Sequence, residues 1–406
     1  MRRARLLQGF SLVVALTGCA GLIGVPDLTF DEQAGQGNPD GSTTGDGATA
    51  GDGSVTGDGS PVPACDETKL QTDANHCGRC GHSCLGGACN AGKCESVVVR
   101  GGLENPVDLA VDATHVYVTA RGNGAVLKIA KADGKTDVLA SGHEEARGVT
   151  LDGQNLFWSN RDFPGDGGDG SWGGVWGCTL PACTDKRLVT EGDWAANVRF
   201  AGGFLYFAEN NNGTVVRVKP DGSMRAPVAT GNKPWSVAVD ATHLYFTANT
   251  GYLQRTPLAG GTPENVGPLD MGGPSGFVTL DDERVYWAYA DYATPAGHVL
   301  SALKADPNAP KEQYGTANVG SVGVAVDGTT LYWTNEGHFD ASFVSQKDGE
   351  LLACPKAGCG GNAPVALQQG LTAPGAIAVD GEAVWFLTFG TKEGSADGEL
   401  RKIAKP

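Results

Sequence analysis

Seven times along this chain an apolar triplet runs into a turn, and an aromatic residue follows at a fixed distance. The copies are Leu109-Ala-Val-Asp112 with Val116-Tyr117, Val149-Thr-Leu-Asp152 with Leu156-Phe157-Trp158, and Val198-Arg-Phe-Ala201 with Leu205-Tyr206-Phe207. They continue as Val237-Ala-Val-Asp240 with Leu244-Tyr245-Phe246, Val278-Thr-Leu-Asp281 with Val285-Tyr286-Trp287, Val324-Ala-Val-Asp327 with Leu331-Tyr332-Trp333, and Ile377-Ala-Val-Asp380 with Val384-Trp385-Phe386. The step from the aspartate position to the first aromatic is five residues in every copy, and only Ala201 breaks the aspartate column. Successive aspartate positions lie 39 to 53 residues apart. Constant hairpins with variable connections define a repeat architecture, which must be recognised before any local assignment.

Two weaker strand-like segments follow each hairpin, such as Gly213-Thr-Val-Val-Arg-Val218 and Ala226-Pro-Val-Ala229. Four strands in roughly 45 residues is the period of a β-propeller blade. The last unit ends at Gly398-Glu-Leu-Arg-Lys-Ile403, a third strand without a fourth. Ser96-Val-Val-Val-Arg100, just ahead of the first copy, matches the missing strand in character. Pairing the two ends removes the open edges of the array. The expectation is an all-β fold, a seven-bladed β-propeller of four-stranded blades over residues 96–406, closed by residues 96–100. The aspartates are assigned to turn chemistry, in which a carboxylate accepts from nearby backbone N–H groups.

Glycine (62) and proline (21) are abundant and no stretch has a helical apolar period, as suits many short strands. The formal charge is −16. Loss of Arg2, Arg3 and Arg5 with a leader would leave 27 basic residues against 46 acidic ones, a charge of −19. Such a surface repels phosphate backbones, so nucleic acid is excluded as a partner.

Arg2, Arg3 and Arg5 precede an apolar run from Leu6 to Leu16 that is too short to span a bilayer, which is the pattern of a cleaved signal over residues 1–18. Residues 20–64 include Gly-Asp-Gly repeats with almost no side chain able to enter a core, and read as a flexible tether. Ten cysteines remain besides Cys19, an even number in an exported chain. Six of them, Cys65, Cys77, Cys80, Cys84, Cys89 and Cys94, crowd residues 65–95 among glycines. So small a segment needs covalent staples, and three disulfides are expected with their pairing left open. Zinc is the rival, since Cys77-x-x-Cys80 with Cys84, His76 and His82 also has ligand spacing. Cys178 and Cys183, like Cys354 and Cys359, are expected to bridge a third-to-outer strand turn.

Leu16-Thr17-Gly18-Cys19 resembles the lipobox of bacterial lipoproteins. That resemblance implies lipidation of Cys19, a membrane partner reached through the lipid, and residence in the cell envelope, with Ala20 after the cysteine favouring the outer membrane. Residues 65–95 resemble cysteine-rich modules found ahead of repeat domains in bacterial surface lipoproteins. Leu331-Tyr-Trp-Thr-Asn335, Leu156-Phe-Trp-Ser-Asn160 and Val285-Tyr-Trp-Ala-Tyr289 resemble the YWTD repeats of lipoprotein-receptor propellers, and the whole domain resembles NHL and YVTN propellers. The fourth YWTD position, however, is Ala120, Asn160, Glu209, Ala248, Tyr289, Asn335 and Thr388, never aspartate.

In propellers the second-to-third-strand loops and the blade crossovers share one face. Here that face would gather Arg121, Arg147, Asn160, Arg161, Trp194, Glu209, Trp235, Tyr289, Asn335 and His338. Aromatic rings beside arginine and asparagine suit a protein, peptide or carbohydrate ligand. Asp162, Asp166 and Asp169 in the longest insert offer three carboxylates to calcium, the one cofactor considered. No Gly-x-Ser-x-Gly, His-Glu-x-x-His or phosphate-loop motif occurs, and no catalytic residue is assigned. His143-Glu144-Glu145, His298 and His338 mimic the His and Glu sets of propeller lyases. The reading is therefore a monomeric, surface-anchored, non-catalytic binding or scaffold protein; the alternative is a lyase or hydrolase acting on an exported polysaccharide or small molecule.

Overall fold

Seven four-stranded antiparallel sheets are arranged in a closed ring, with the inner strand of each beside the inner strands of its neighbours. The computed structural model describes residues 65–406, apart from residues 144, 162–172, 232, 249–252, 267–274, 290–296 and 362. The segments expected to be a leader and a tether, Cys19, Glu144 and the trio Asp162, Asp166 and Asp169 thus lie outside the described residues. Among the described residues there is no α-helix, only a 3-10 turn at Glu67–Lys69.

Blade 1 is built from Pro106–Val111, His115–Ala120, Ala125–Ala130 and Thr136–Ala140, from the axis outward. The inner strands of blades 2 to 7 are Val149–Leu151, Ala195–Ala201, Pro234–Val239, Ser275–Leu280, Ser321–Val326 and Pro374–Val379. Blade 7 takes its outer strand, Val97–Leu103, from the other end of the repeat region. Val97 lies opposite Lys402, Val98 opposite Arg401 and Leu103 opposite Gly398, so the closing strand runs three residues beyond the expected Arg100.

The second strands carry the core. In Thr330–Asn335 every residue after Thr330 is buried, which departs from the alternation of a one-sided sheet because blades pack on both faces. Leu331 and Trp333 enter the layer shared with blade 5, while Tyr332 enters the layer shared with blade 7. The same division holds for Val285 and Trp287 against Tyr286, and for Leu244 and Phe246 against Tyr245. The fixed aromatic thus packs forward onto the next blade and its flanking neighbours pack backward.

The aspartates close the hairpin turns. Asp112 Oδ1 accepts from the amides of Thr114 and His115 at 2.7 Å each, and Oδ2 accepts from the Tyr117 hydroxyl at 2.9 Å. Asp281 binds Tyr286, Asp327 binds Tyr332, and Asp380 binds the Trp385 indole in the same way. In these four copies the five-residue step is therefore a side-chain bond across the turn. Threonine at the third YWTD position has its own task. Thr334 Oγ1 accepts from Gly323 N at a bulge and donates to Gly375 O of the next blade. At Gly323 a Cβ would run into that same Gly375 carbonyl, so the close approach of inner strands requires glycine there.

The cysteine-rich segment pairs Cys65 with Cys80, Cys77 with Cys89 and Cys84 with Cys94. Cys77, Cys84 and Cys94 have sulfurs within 4.8 Å of one another, but all three are in disulfides, and the zinc reading gives way to two stacked bridges. The histidines are engaged elsewhere: His76 Nδ1 accepts from Gly81 N, and His82 meets the carbonyls of Cys77 and Lys405 at 2.7 Å each. Nor is the module a free spacer. Cys77, Cys84, Cys89 and Cys94 share one buried cluster with Val384, Phe386, Ile403 and Ala404, so it docks against blades 6 and 7. Cys178–Cys183 and Cys354–Cys359 bridge the two turns as expected.

Candidate functional site

Six of the seven inner strands are entered from the preceding blade through a described residue in the left-handed region. Asn105, Glu145, Trp194, Lys233 and Ala373 have φ between 47° and 53°, and Gly320 has φ 64° at the equivalent place. For a residue other than glycine this conformation costs about 1–2 kcal/mol. Two residues further on, the chain reaches the mouth of the central channel. Val107, Arg147, Ala196, Trp235, Gly276, Val322 and Gly375 occupy that position in the seven blades, and all seven line one cavity of about 410 Å³. Only Arg147 and Trp235 are large, so the mouth is lopsided despite the sevenfold frame.

A second ring comes from the residue following each second strand. Arg121, Glu336 and Phe389 reach the cavity from this position, joined by Phe339 from the blade 6 insert. Arg121 Nη2 lies 2.5 Å from Glu393 Oε1, and its guanidinium sits 5.4 Å from the Phe389 ring centre. Arg147 Nη2 and Nε both donate to Glu145 Oε2, at 2.5 and 3.1 Å, while Arg161 Nη1 donates to Glu145 Oε1 at 2.9 Å. One carboxylate thus clamps two guanidiniums. Arg161 stacks over Trp194 at 4.0 Å and Arg147 over Trp235 at 5.1 Å, which fixes the rings by cation–π attraction. Burial pushes the Glu145 carboxyl up, but the two arginines outweigh it and hold it below its ordinary range. Burial lowers the Arg147 guanidinium, and the charges of Arg121 and Arg161 press in the same direction against Glu145.

The channel floor is a charged plug. Asp108, 3% exposed, accepts from Arg199 Nη1 at 2.8 Å, Val149 N at 3.1 Å and Asn197 Nδ2 at 3.2 Å. It lies between the mouth and a lower cavity of about 300 Å³ that Arg199 also lines. An ion pair this buried is tolerable only with such additional hydrogen bonds.

Of the ten residues expected on this face, Arg121, Arg147 and Trp235 line the mouth, and Arg161 and Trp194 form the stack beside Arg147. Asn160, Glu209, Tyr289 and Asn335 are instead buried at the ends of second strands. Asn160 accepts from Gly174 N, Asn335 accepts from Ser321 Oγ, and Glu209 takes Thr214 Oγ1 and Arg225. All four are the last residues of strands packed on both faces, and Arg161 and Glu336 lie just beyond the strand ends, nearer the mouth. His338 points to Asp348 at 2.6 Å and does not line the mouth. The histidines of the lyase reading are dispersed: His143 lies against Trp158 and Trp176, and His298 beside Tyr289 and Gln313. Asp108, Arg199 and Phe389 were not anticipated. Their signal was present, because Arg199 replaces the alanine or threonine of the other six copies, and Asp108 stands directly ahead of an apolar triplet.

No protein-family model matches the chain. Among solved structures, the WD40 β-propeller domain of Doa1 is similar over 77% of this chain and 96% of that one, with 11% identity and a TM-score of 0.58. A structure of the nidogen/laminin complex matches 60% of this chain and 90% of its own at 14% identity and TM-score 0.45. The computationally designed Ika8 protein matches 76% and 98%, at 11% and 0.47. The likeness to the Doa1 domain is one of fold and specifies no ligand.

Proposed function

We propose that this is a non-catalytic binding protein, held at the bacterial cell surface by lipid on Cys19, which captures its ligand in the channel mouth. The observation that supports it most is the lopsided ring, in which Arg147 and Trp235 stand out among seven equivalent positions. Both are immobilised, Arg147 by Glu145 and by the rings of Trp194 and Trp235. Preorganised arginine and tryptophan side chains around a concavity are the usual anchors of recognition. The docked module lies toward the Asp-turn end of blades 6 and 7, near Lys405.

Two measurements test this reading. Cys19→Ser should release the chain from the membrane fraction and abolish palmitate labelling. On peptide and glycan arrays the full chain should bind a discrete set of compounds, and Arg147→Gln with Trp235→Ala should lose them while melting as a folded protein. Binding that survives both substitutions would remove the mouth as the site.

A further inference from the structure

The cations around the mouth are not equivalent. Arg147 and Arg161 share the single carboxylate of Glu145, which is 25% exposed, and Arg199 is held by the buried Asp108. Arg121 differs. Its own side chain is 20% exposed, but its partner Glu393 is 77% exposed and reaches in from solvent. A pair with one partner so fully in water holds weakly. The Arg121 guanidinium itself is well placed, since Phe389 supports its face and its backbone amide donates to Asn105 O at 2.9 Å. Beneath it the cavity is walled by Trp235, Phe277, Val322 and Phe339.

Resting on the reading of the mouth as the binding site, we propose that its ligand is a carboxylate bearing a compact apolar group, whose carboxylate replaces that of Glu393 on Arg121. Guanidinium presents a planar fork that matches a carboxylate, and the charge-assisted bonds strengthen out of water. Arg147 also feels the charge of Arg121, so an anion between them relieves repulsion. Glu393 is then the chain's own occupant of the anion position, displaced on binding.

Calorimetric titration of the full chain at pH 7 with N-acetyl-phenylalanine and with its amide tests this. The acid should bind about tenfold or more tightly than the amide, as expected for a charge-assisted pair. Arg121→Gln should reduce the acid to the level of the amide and leave the amide unchanged. Glu393→Gln, which removes the internal competitor, should tighten the acid severalfold. Equal binding of acid and amide, weaker acid binding by Glu393→Gln, or binding of neither compound would overturn the proposal. Trp235→Ala separates the two levels of the reading: loss of both compounds despite equal affinities keeps the mouth and discards the carboxylate, whereas retained binding discards the mouth. A tetrapeptide ending in phenylalanine, with its C-terminus free, identifies the source. Affinity at or above that of the single residue points to peptide termini, and lower affinity to free small acids.

Discussion

Lys131 Nζ, just past the third strand of blade 1, lies 2.7 Å from Asp380 Oδ2 in blade 7, across the seam where the ring closes. The relationship repeats around the wheel. Lys304 pairs with Asp240 at 3.3 Å, and Lys356 with Asp281 and Lys405 with Asp327 at 3.2 Å each. Each lysine follows a third strand, and each aspartate closes the hairpin of the preceding blade. The turn aspartate therefore acts twice, once within its own hairpin and once between blades.

This arrangement predicts acid lability. Burial pushes the Asp380 carboxyl up, but Lys131, the amides of Ala383 and Glu382 and the Trp385 indole together bring it to about 2. Asp112, Asp240, Asp281 and Asp327 are likewise held low, each against its own burial. A depressed carboxyl contributes stability that is complete above its unfolded pKa near 4 and is lost as pH falls through the folded value. Thermal melts should change little between pH 7 and pH 5, then drop steadily toward pH 2. Asp380→Asn should lower the melting temperature at neutral pH and flatten the acid slope. An unchanged slope would show that the seam pair contributes nothing.

The break in the column at Ala201 is compensated. The lysine that would face it is Leu258, whose amide donates to Thr242 O just as that of Lys131 donates to Thr114 O. Ala201 and Leu258 pack against the same buried cluster. Ala201→Asp alone should destabilise by about 1–3 kcal/mol, because a carboxylate would be partly buried against leucine. Adding Leu258→Lys should recover part of that loss. A double-mutant cycle by chemical denaturation measures the coupling, and additivity would contradict the pairing rule.

Most of this frame was legible because the fixed aspartate-to-aromatic step is a local chemical constraint that repeats. Ring closure was legible for the same reason, since a third strand without a fourth leaves an edge. The mouth was not. Asn160 and Asn335 belong to a column of the repeat, yet as the last residues of strands packed on both faces they are buried, and Arg161 and Glu336 just beyond the strand ends lie nearer the mouth. The left-handed residues ahead of the inner strands were also invisible. Among the described residues at this position Gly320 alone carries the customary residue, and Glu145, Trp194 and Ala373 are held there by tertiary context. Docking of the cysteine-rich module escaped detection because its buried surface is cystine rather than a recognisable apolar stripe.

That docking makes the module part of the folding unit. His82 bonds the Lys405 carbonyl, Ser96 N donates to Gln368 Oε1, and four half-cystines cover Val384, Ile403 and Ala404. Chains beginning at Cys65, Ser96 and Glu104 should lose stability in that order under urea. The last, lacking the whole closing strand, should also aggregate through the bare edge of Gly398–Ala404. Equal midpoints for the first two would show the module to be a mere passenger.

The clamp at Glu145 is the sharpest test of the mouth itself. Its two oxygens divide Arg147 from Arg161, and the arginines in turn fix Trp194 and Trp235. Glu145→Gln keeps the volume but removes the charge, leaving two guanidiniums facing each other with Arg121 nearby. Losing one partner of a largely buried pair costs about 3–5 kcal/mol, less here because Arg161 has water access at 27% exposure. Arg147 should therefore swing away from Trp235 rather than unfold the ring. Tryptophan emission should shift to the red with little change in far-ultraviolet dichroism, and mouth ligands should weaken in parallel. A wild-type emission spectrum would mean that the rings, not the carboxylate, hold the arginines in place.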